Sequence, residues 1–259
     1  MKKRVDVSLV EWGFFESRNK AQAAIEEGLV SIENKKILKS NQEIEFSEEI
    51  KPLVRVESGK SNRYVSRGGI KMEGALQKTG IEVKGLRVLD VGISTGGFSD
   101  CLLQNGAKEI VGVDVGHKQI HPSLLSHKNL HVYEGFHINN LDKDFFIREN
   151  LDPEFDLVVC DVSFNSIRNV LPHVNSFLKT DGTALFLVKP QFELSREDLG
   201  KGGIVKDISH FQKVEKLVRS LFEDFNYTIL DYFESSIAGS DGNREFFIYA
   251  KKFGDSKKV

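Results

Sequence analysis

The chain has 259 residues, 40% of them hydrophobic, and a formal net charge of −2. That length accommodates a small domain and a mid-sized one, each with its own core. The near-neutral balance excludes a polycationic protein, so any nucleic-acid surface has to be a local patch.

In chain order, Asp6–Trp12 and Ser17–Glu27 read as two short helices. Ser17 is placed as an N-cap, although Lys20 stands where a capping box wants an acid. Ala21, Ala24 and Ile25 share one helical face, and Gly28 sits where a C′ glycine belongs. Leu29–Ile32 and Glu43–Phe46 read as strands, with Glu33-Asn34-Lys35-Lys36 as a turn. From Lys51 to Lys78 the charge is locally basic: Lys51, Arg55, Lys60, Arg63, Arg67, Lys71 and Lys78 stand against Glu57 and Glu73. The chain divides here, into a small α+β domain at 1–58, a basic linker at 59–63 and a larger domain at 64–253, with a frayed tail at 254–259.

In the larger domain the pattern changes to alternation. Strand-like runs are Arg87–Val91, Ile110–Asp114, Leu130–Tyr133, Leu157–Asp161, Ala184–Val188, Thr228–Tyr232 and Phe246–Ala250. Helix-like stretches are Gly69–Gln77, Phe98–Asn105, Ile167–Leu178 and Ile208–Phe222. This argues for an α/β fold with a seven-stranded, mostly parallel sheet covered on both faces. A short Ser240-Asp241-Gly242-Asn243 turn before the last run makes that strand antiparallel. Cys101 and Cys160 lie in apolar runs and read as buried thiols of a reducing compartment, not as a disulfide or a metal site. The start is basic but has no apolar stretch behind it, and no uncharged apolar run approaches the ~18 residues a membrane span needs. The expectation is a cytoplasmic protein without membrane or metal.

The sharpest local feature is Arg87-Val-Leu-Asp-Val-Gly-Ile-Ser-Thr-Gly-Gly-Phe98. An apolar strand ends in Asp90; Gly92, Gly96 and Gly97 follow, and a helix opens at Phe98. Glycines let the backbone turn tightly and approach a ligand. Their spacing is neither the dinucleotide G-x-G-x-x-G nor a phosphate loop ending in Gly-Lys-Ser/Thr. An acid before the turn suits a ligand with positive charge, and S-adenosylmethionine carries a sulfonium and an ammonium. Asp114 ends the next strand, where a ribose diol is bound in nucleotide-binding α/β sheets. Ligands of open α/β sheets lie beyond the carboxyl ends of the strands, and Asp161 and Lys189 end two more of them. Glu245 opens the last, antiparallel strand and so reaches the same edge. Lys71 lies on the first helix of the larger domain. A lysine closing a buried strand is unusual, because a buried amine needs a partner. Asp161-Val-Ser-Phe replaces the Asn/Asp-Pro-Pro-Tyr/Phe of amino-directed base methyltransferases, which points away from exocyclic-amine chemistry.

Over nearly its whole length the sequence resembles the TlyA family of hemolysin-named ribosomal RNA 2′-O-methyltransferases. The matching stretches are Ser17-Arg-x-Lys-Ala, Tyr64-Val-Ser-Arg-Gly-Gly, Ser94-Thr-Gly-Gly-Phe, Val113-Asp-Val-Gly, Asp161-Val-Ser-Phe, Val188-Lys-Pro-Gln-Phe-Glu, Gly200-Lys-Gly-Gly and Gly242-Asn-Arg-Glu. The resemblance implies a Rossmann-like, FtsJ-like catalytic domain behind an RNA-binding domain of the ribosomal-protein S-four type. It implies a catalytic tetrad of Lys71, Asp161, Lys189 and Glu245. The cofactor set is expected at Asp90, Gly92, Ser94, Thr95, Gly96, Gly97, Phe98, Asp114, Val115, His137 and Asp161. Four positions depart from the family pattern: Ile93 for a small residue in the turn, His117-Lys118 for Tyr-Gly, His137 for Asn, and Glu33-Asn34 for Asn-Gly at the hairpin.

The implied reaction is displacement of the methyl group by a ribose 2′-hydroxyl, with S-adenosylmethionine as donor and a ribosomal RNA cytidine, in RNA or an assembled subunit, as acceptor. Lysine serves as a base only when neutral, which burial and a neighbouring cation favour. Lys189 is the candidate base and Lys71 the neighbouring cation. Arg4, Arg18, Lys20, Arg63 and Arg67 are the expected phosphate contacts, with binding that falls steeply as salt rises. Three rivals remain: a small-molecule O-methyltransferase, a cytolysin, and an RNA-binding assembly factor without catalysis.

Overall fold

The computed structural model describes residues 1–15, 17–57, 59, 62–239 and 241–253. The expected tail at 254–259, together with Lys60 and Ser240, lies outside them. The chain forms two compact units, Met1–Arg67 and Gly68 onward.

In the first unit, strand β1 (Lys2–Arg4) leads into α1 (Val5–Glu11), followed by α2 (Arg18–Glu26), β2 (Val30–Ile32), β3 (Lys35–Lys36), β4 (Glu43–Glu45) and β5 (Val54–Val56). Ser17 caps α2, its hydroxyl accepting from Lys20 N at 3.3 Å, and Gly28 follows the helix at φ 71°. The core joins Val5, Leu9 and Trp12 to Ala21, Ala24 and Ile25, and to Val30 and Val54 from the strands. The hairpin turn is tighter than its sequence suggests. Glu33 and Asn34 both have positive φ, 51° and 65°, so two residues close it and Lys35-Lys36 already belong to a strand. Mirror-image turns of this kind match the twist of paired strands. β1 and β5 carry too few apolar residues in too short a run to announce themselves. They exist through pairing, β1 with β4 and β5 with β2.

The second unit begins within the first turn of α3 (Arg67–Thr79). Its sheet comprises β6 (Arg87–Val91), β7 (Glu109–Asp114), β8 (Leu130–Glu134), β9 (Phe155–Cys160), β10 (Leu178–Val188), β11 (Tyr227–Glu234) and β12 (Phe246–Lys252). The order is β11-β12-β10-β9-β6-β7-β8. β10 to β8 run parallel, and β12 is antiparallel to both its neighbours. Helices α4 (Gly97–Gln104), α5 (Lys143–Arg148), α6 (Leu171–Val174), α7 (Pro190–Glu193) and α8 (Ile208–Asp224) complete the unit. The single helix expected over 167–178 is instead two 3-10 turns flanking the four-residue α6, and Leu178 already opens β10. Pro172 lacks the N–H that a continuous helix needs and can stand only in a first turn. α5 went unread because its charges interrupt a short apolar run. Among the described residues no helix is long and apolar enough to cross a membrane.

Chain order reverses between β6 and β9, which pair in parallel. The strands diverge to opposite sides at that point, and a crevice opens beyond their carboxyl ends. The glycine turn follows β6 and Asp161 follows β9, so both sequence features arrive at one crevice.

Candidate active site

The turn after β6 is built on left-handed backbone: Gly92 at φ 84°, Ser94 at φ 47° and Gly96 at φ 90°. At Gly92 the need is double. A Cβ there would lie 2.6 Å from the carbonyl oxygen of Asp161, so the glycine lets β6 and the end of β9 close together. Ile93 fills no ligand space. It is buried, and a Cβ on Gly112 would sit 2.3 Å from its Cδ1, so the large side chain is accommodated by the missing one on β7. This removes the departure at Ile93 from the question of cofactor fit.

Asp114 ends β7 with both carboxylate oxygens held by backbone: Ser94 N donates to Oδ2 at 2.8 Å and Gly116 N to Oδ1 at 2.7 Å. A fixed carboxylate with lone pairs to spare suits two vicinal hydroxyls. It faces a cavity of about 390 Å³ lined by Gly92, Ser94, Asp114, Val115, His137 and Asp161, with Phe136 and Ile138 as an apolar wall. An acid for a diol and an apolar slot for a flat base are the features an adenosyl group needs, within the range of roughly 300–1,000 Å³ usual for small-ligand sites. His137 lines the wall with its Nδ1 accepting from Asn139 N at 3.2 Å.

The remaining expected cofactor residues do not reach this wall. Asp90 is fully buried beneath the turn and accepts the Ser99 hydroxyl at 2.6 Å, while its Oδ1 has no partner. Burial, with the charges of Asp161 and Asp114, pushes its carboxyl up to about 7 against the Ser99 hydrogen bond. Phe98 points into the core against Phe247, with ring centroids 6.1 Å apart. Gly96 and Gly97 shape the start of α4, and the Thr95 carbonyl accepts from His121 N. These five residues support the turn and leave the lining to others: Asp90 is buried within β6, and the chain from 95 onward descends into a helix.

A second cavity of about 570 Å³ is lined by Lys71, Asp161, Lys189 and Glu245. The structure thus brings all four expected tetrad residues to one space. Lys71 Nζ donates to Glu245 Oε2 at 2.5 Å, and Lys189 Nζ lies 2.6 Å from Asp161 Oδ1. Each lysine therefore has its own carboxylate. Lys71, expected as the cation beside Lys189, lines the same cavity, and both amines are paired, since buried charges are held by opposite ones. The cavities share Asp161, Ser163 and Phe164.

Ser163 and Phe164 went unassigned in the sequence, as did Gln191, Asp241 and Glu193. Phe164 is 91% exposed at φ 60° and lies 5.3 Å from the Phe192 ring. An aromatic residue shortly after a strand-end acid was the available signal. Glu193 is buried and fastens the following segment, accepting the Ser166 hydroxyl at 2.6 Å and Ile167 N at 2.9 Å. Glu134, at the end of β8, likewise holds the segment before that strand, accepting Lys118, Gln119 and Ile120 N–H groups.

In the first unit the expected phosphate contacts have internal duties. Arg4 donates to both oxygens of Asp6, at 3.0 and 2.9 Å, and Arg18 to Oδ2 at 3.2 Å. Lys20 Nζ donates to the Val65 carbonyl at 2.7 Å; Arg63 lies over the Tyr64 ring and Arg67 opens α3. Asp6 is wholly buried, which pushes its carboxyl up. The hydrogen bonds from Arg4, Gln22 and Arg18 outweigh that and hold it at about 2. Its contribution to stability is therefore complete above the ordinary value of 3.8 and is lost as pH falls toward 2. Asp6→Ala is expected to destabilise this unit by about 2 kcal/mol, a value moderated by the half-exposed arginines. Calorimetry of the full chain checks it: the transition of the first unit moves down at pH 7, and the gap to wild type narrows below pH 3.

A switch-point crevice, a glycine turn, a fixed strand-end acid and an adjoining cavity of lysine–carboxylate pairs define a Rossmann-like methyltransferase. The FtsJ-like methyltransferase family model matches residues 64–252, and the S4 domain model matches residues 3–50. A Bacillus subtilis protein provisionally named rRNA methyltransferase YqxC is 38% identical, over 99% of this chain and 88% of its own. The 16S/23S rRNA (cytidine-2′-O)-methyltransferase TlyA of Mycobacterium tuberculosis is 33% identical, over 96% of this chain and 89% of its own. A solved Streptococcus thermophilus structure with a provisional hemolysin name is 33% identical and superposes with a TM-score of 0.71, covering 97% of this chain and 89% of that one. The chain belongs to the FtsJ-like methyltransferase family and, within it, to the TlyA proteins.

Proposed function

We propose that the protein transfers a methyl group from S-adenosylmethionine to a ribose 2′-hydroxyl of a cytidine in ribosomal RNA. The observation that carries this reading is the wall common to the two cavities. Asp161, Ser163 and Phe164 border both the cavity that Asp114 faces and the one lined by the lysine–carboxylate pairs. Residues 1–58 and the basic linker 59–63 are read as the RNA-binding part, in front of a catalytic part at 64–253. The nucleotide type is carried over from the Mycobacterium tuberculosis relative, whose name specifies cytidine.

Asp114 would take the ribose diol, Val115, Phe136 and Ile138 the adenine, and Gly92 and Ser94 the amino-acid end. S-adenosylmethionine held there supplies a methyl group on a positively charged sulfur. The attacking 2′-oxygen must lose its proton as it bonds to carbon, and Lys189 would receive it once its own ammonium, paired with Asp161, has given up a proton to solvent. Asp161, 2.6 Å away, then faces the ammonium that forms. Lys71 and Glu245, which line the same cavity, would hold the hydroxyl. Exposed Phe164, beside Phe192, offers a face on which the base can stack. Most of the acceleration is expected from positioning, because the leaving group is already activated.

The test is a map of 2′-O-methyl groups in ribosomal RNA from cells with and without the protein, followed by transfer with purified components. One or more cytidine sites should disappear in the deletion and be restored in vitro. An unchanged map, with no transfer to naked RNA or to either subunit, would overturn the reading.

A further inference from the structure

Ser163 stands outside the four residues whose family role was expected, yet the structure binds it to one of them. Lys189 Nζ donates to Ser163 Oγ at 2.9 Å while lying 2.6 Å from Asp161 Oδ1. An amine nitrogen has four tetrahedral directions. One is its own carbon. In the neutral amine two more are N–H bonds, and the fourth is the lone pair that accepts a proton. Asp161 Oδ1 lies close enough to repel a lone pair but accepts no hydrogen bond, so it does not by itself fix where the N–H bonds point. A hydrogen bond to a fixed acceptor narrows that choice.

Ser163 is placed to be that acceptor because its segment is tied at both ends. Asp161 N donates to the Val91 carbonyl at 2.9 Å, and three residues beyond Ser163 the buried Glu193 carboxylate holds Ser166 and Ile167. Phe164 is kept at φ 60° between these anchors. The Ser163 side chain therefore sits on a constrained turn rather than a free loop. It borders both cavities, at the seam a methyl group would cross. A neutral hydroxyl also adds no second negative charge beside Asp161.

We infer that Ser163 is a positioning residue for methyl transfer. Its hydroxyl accepts an N–H of Lys189 and, with the Asp161 carboxylate repelling the lone pair, turns that lone pair toward the acceptor 2′-hydroxyl. This rests on the proposed reaction. Loss of one neutral hydrogen bond predicts a roughly five- to tenfold lower kcat in Ser163→Ala. KM for RNA and the dissociation constant for S-adenosylmethionine should stay within about twofold. Ser163→Thr, which keeps the hydroxyl, should recover most of the rate.

The decisive measurement is a double-mutant cycle under single-turnover conditions. If Ser163 acts through Lys189, Ser163→Ala should cost nothing further in a Lys189→Met background. A penalty of the same size in both backgrounds would mean a merely structural role. Wild-type protein that turns over, with Ser163→Ala equal to it, overturns the role of Ser163 alone. Wild-type protein that binds S-adenosylmethionine but methylates no ribosomal RNA overturns the proposed reaction and this role with it.

Discussion

Lys189→Met is expected to lower kcat for methyl transfer by about three orders of magnitude while leaving S-adenosylmethionine affinity within about threefold. The size follows from what a positioned general base contributes, roughly 10²–10⁴-fold. The separation follows from the architecture. Lys189 lines the cavity proposed for the acceptor, whereas the one proposed for the cofactor is walled by Gly92, Ser94, Asp114, Val115 and His137. Methionine keeps much of the length of the side chain, so the end of β10 should stay packed. It does leave Asp161 without its ion-pair partner. Circular dichroism and calorimetric cofactor titration distinguish lost chemistry from lost fold. Turnover within tenfold of wild type would remove Lys189 from the base role. Lys71→Arg is the companion variant. It keeps a cation beside Glu245, so retention of most turnover would assign Lys71 an electrostatic task.

Gly92→Ala should damage both stability and cofactor binding, through backbone alone. The added methyl group would lie 2.6 Å from the Asp161 carbonyl oxygen and 2.9 Å from its carbon, at a residue held at φ 84°. Neither neighbour is a side-chain end that can swing aside. The turn after β6 and the end of β9 must separate, and Asp161 moves with them. Overpacking and left-handed strain each cost roughly 1–3 kcal/mol, so a loss of about 3 kcal/mol is expected. Cofactor affinity should fall at least tenfold, since Gly92, Ser94 and Asp161 line the same cavity. Gly80→Ala supplies the comparison. Gly80 has φ 69° at the end of α3 with nothing within 4 Å of the new methyl, so it carries the conformational strain alone, about 1 kcal/mol. Equal losses in the two variants would show that close approach at Gly92 is not what matters.

Much of this site was legible before any coordinates. Strand-end acids Asp114 and Asp161, the glycine turn ahead of them, and Lys189 closing an apolar run are all local patterns. Strand-helix alternation forces them to one sheet edge whatever the details of packing. The same holds for β6, whose limits in the structure, Arg87–Val91, are those its apolar run marks out. Elements without a local pattern stayed hidden. β1 and β5 exist only as pairing partners, and the broken segment around α6 depends on where Pro172 can be tolerated.

The sequence by itself determined the strand-helix alternation of the larger domain, the sheet edge it shares and the residue types gathered there, because hydrophobic period and glycine placement are properties of the chain. Only the tertiary structure decided the partnerships. Lys71 joins Glu245 across 174 positions, Lys189 joins Asp161 and Ser163, and Asp90 sinks beneath the turn while Asp114 faces the cavity. Likewise Arg4 and Arg18 turn to the buried Asp6. The physical reason is the same in each case. A buried charge takes the opposite charge that folding brings within reach, and sequence spacing does not record which one that is.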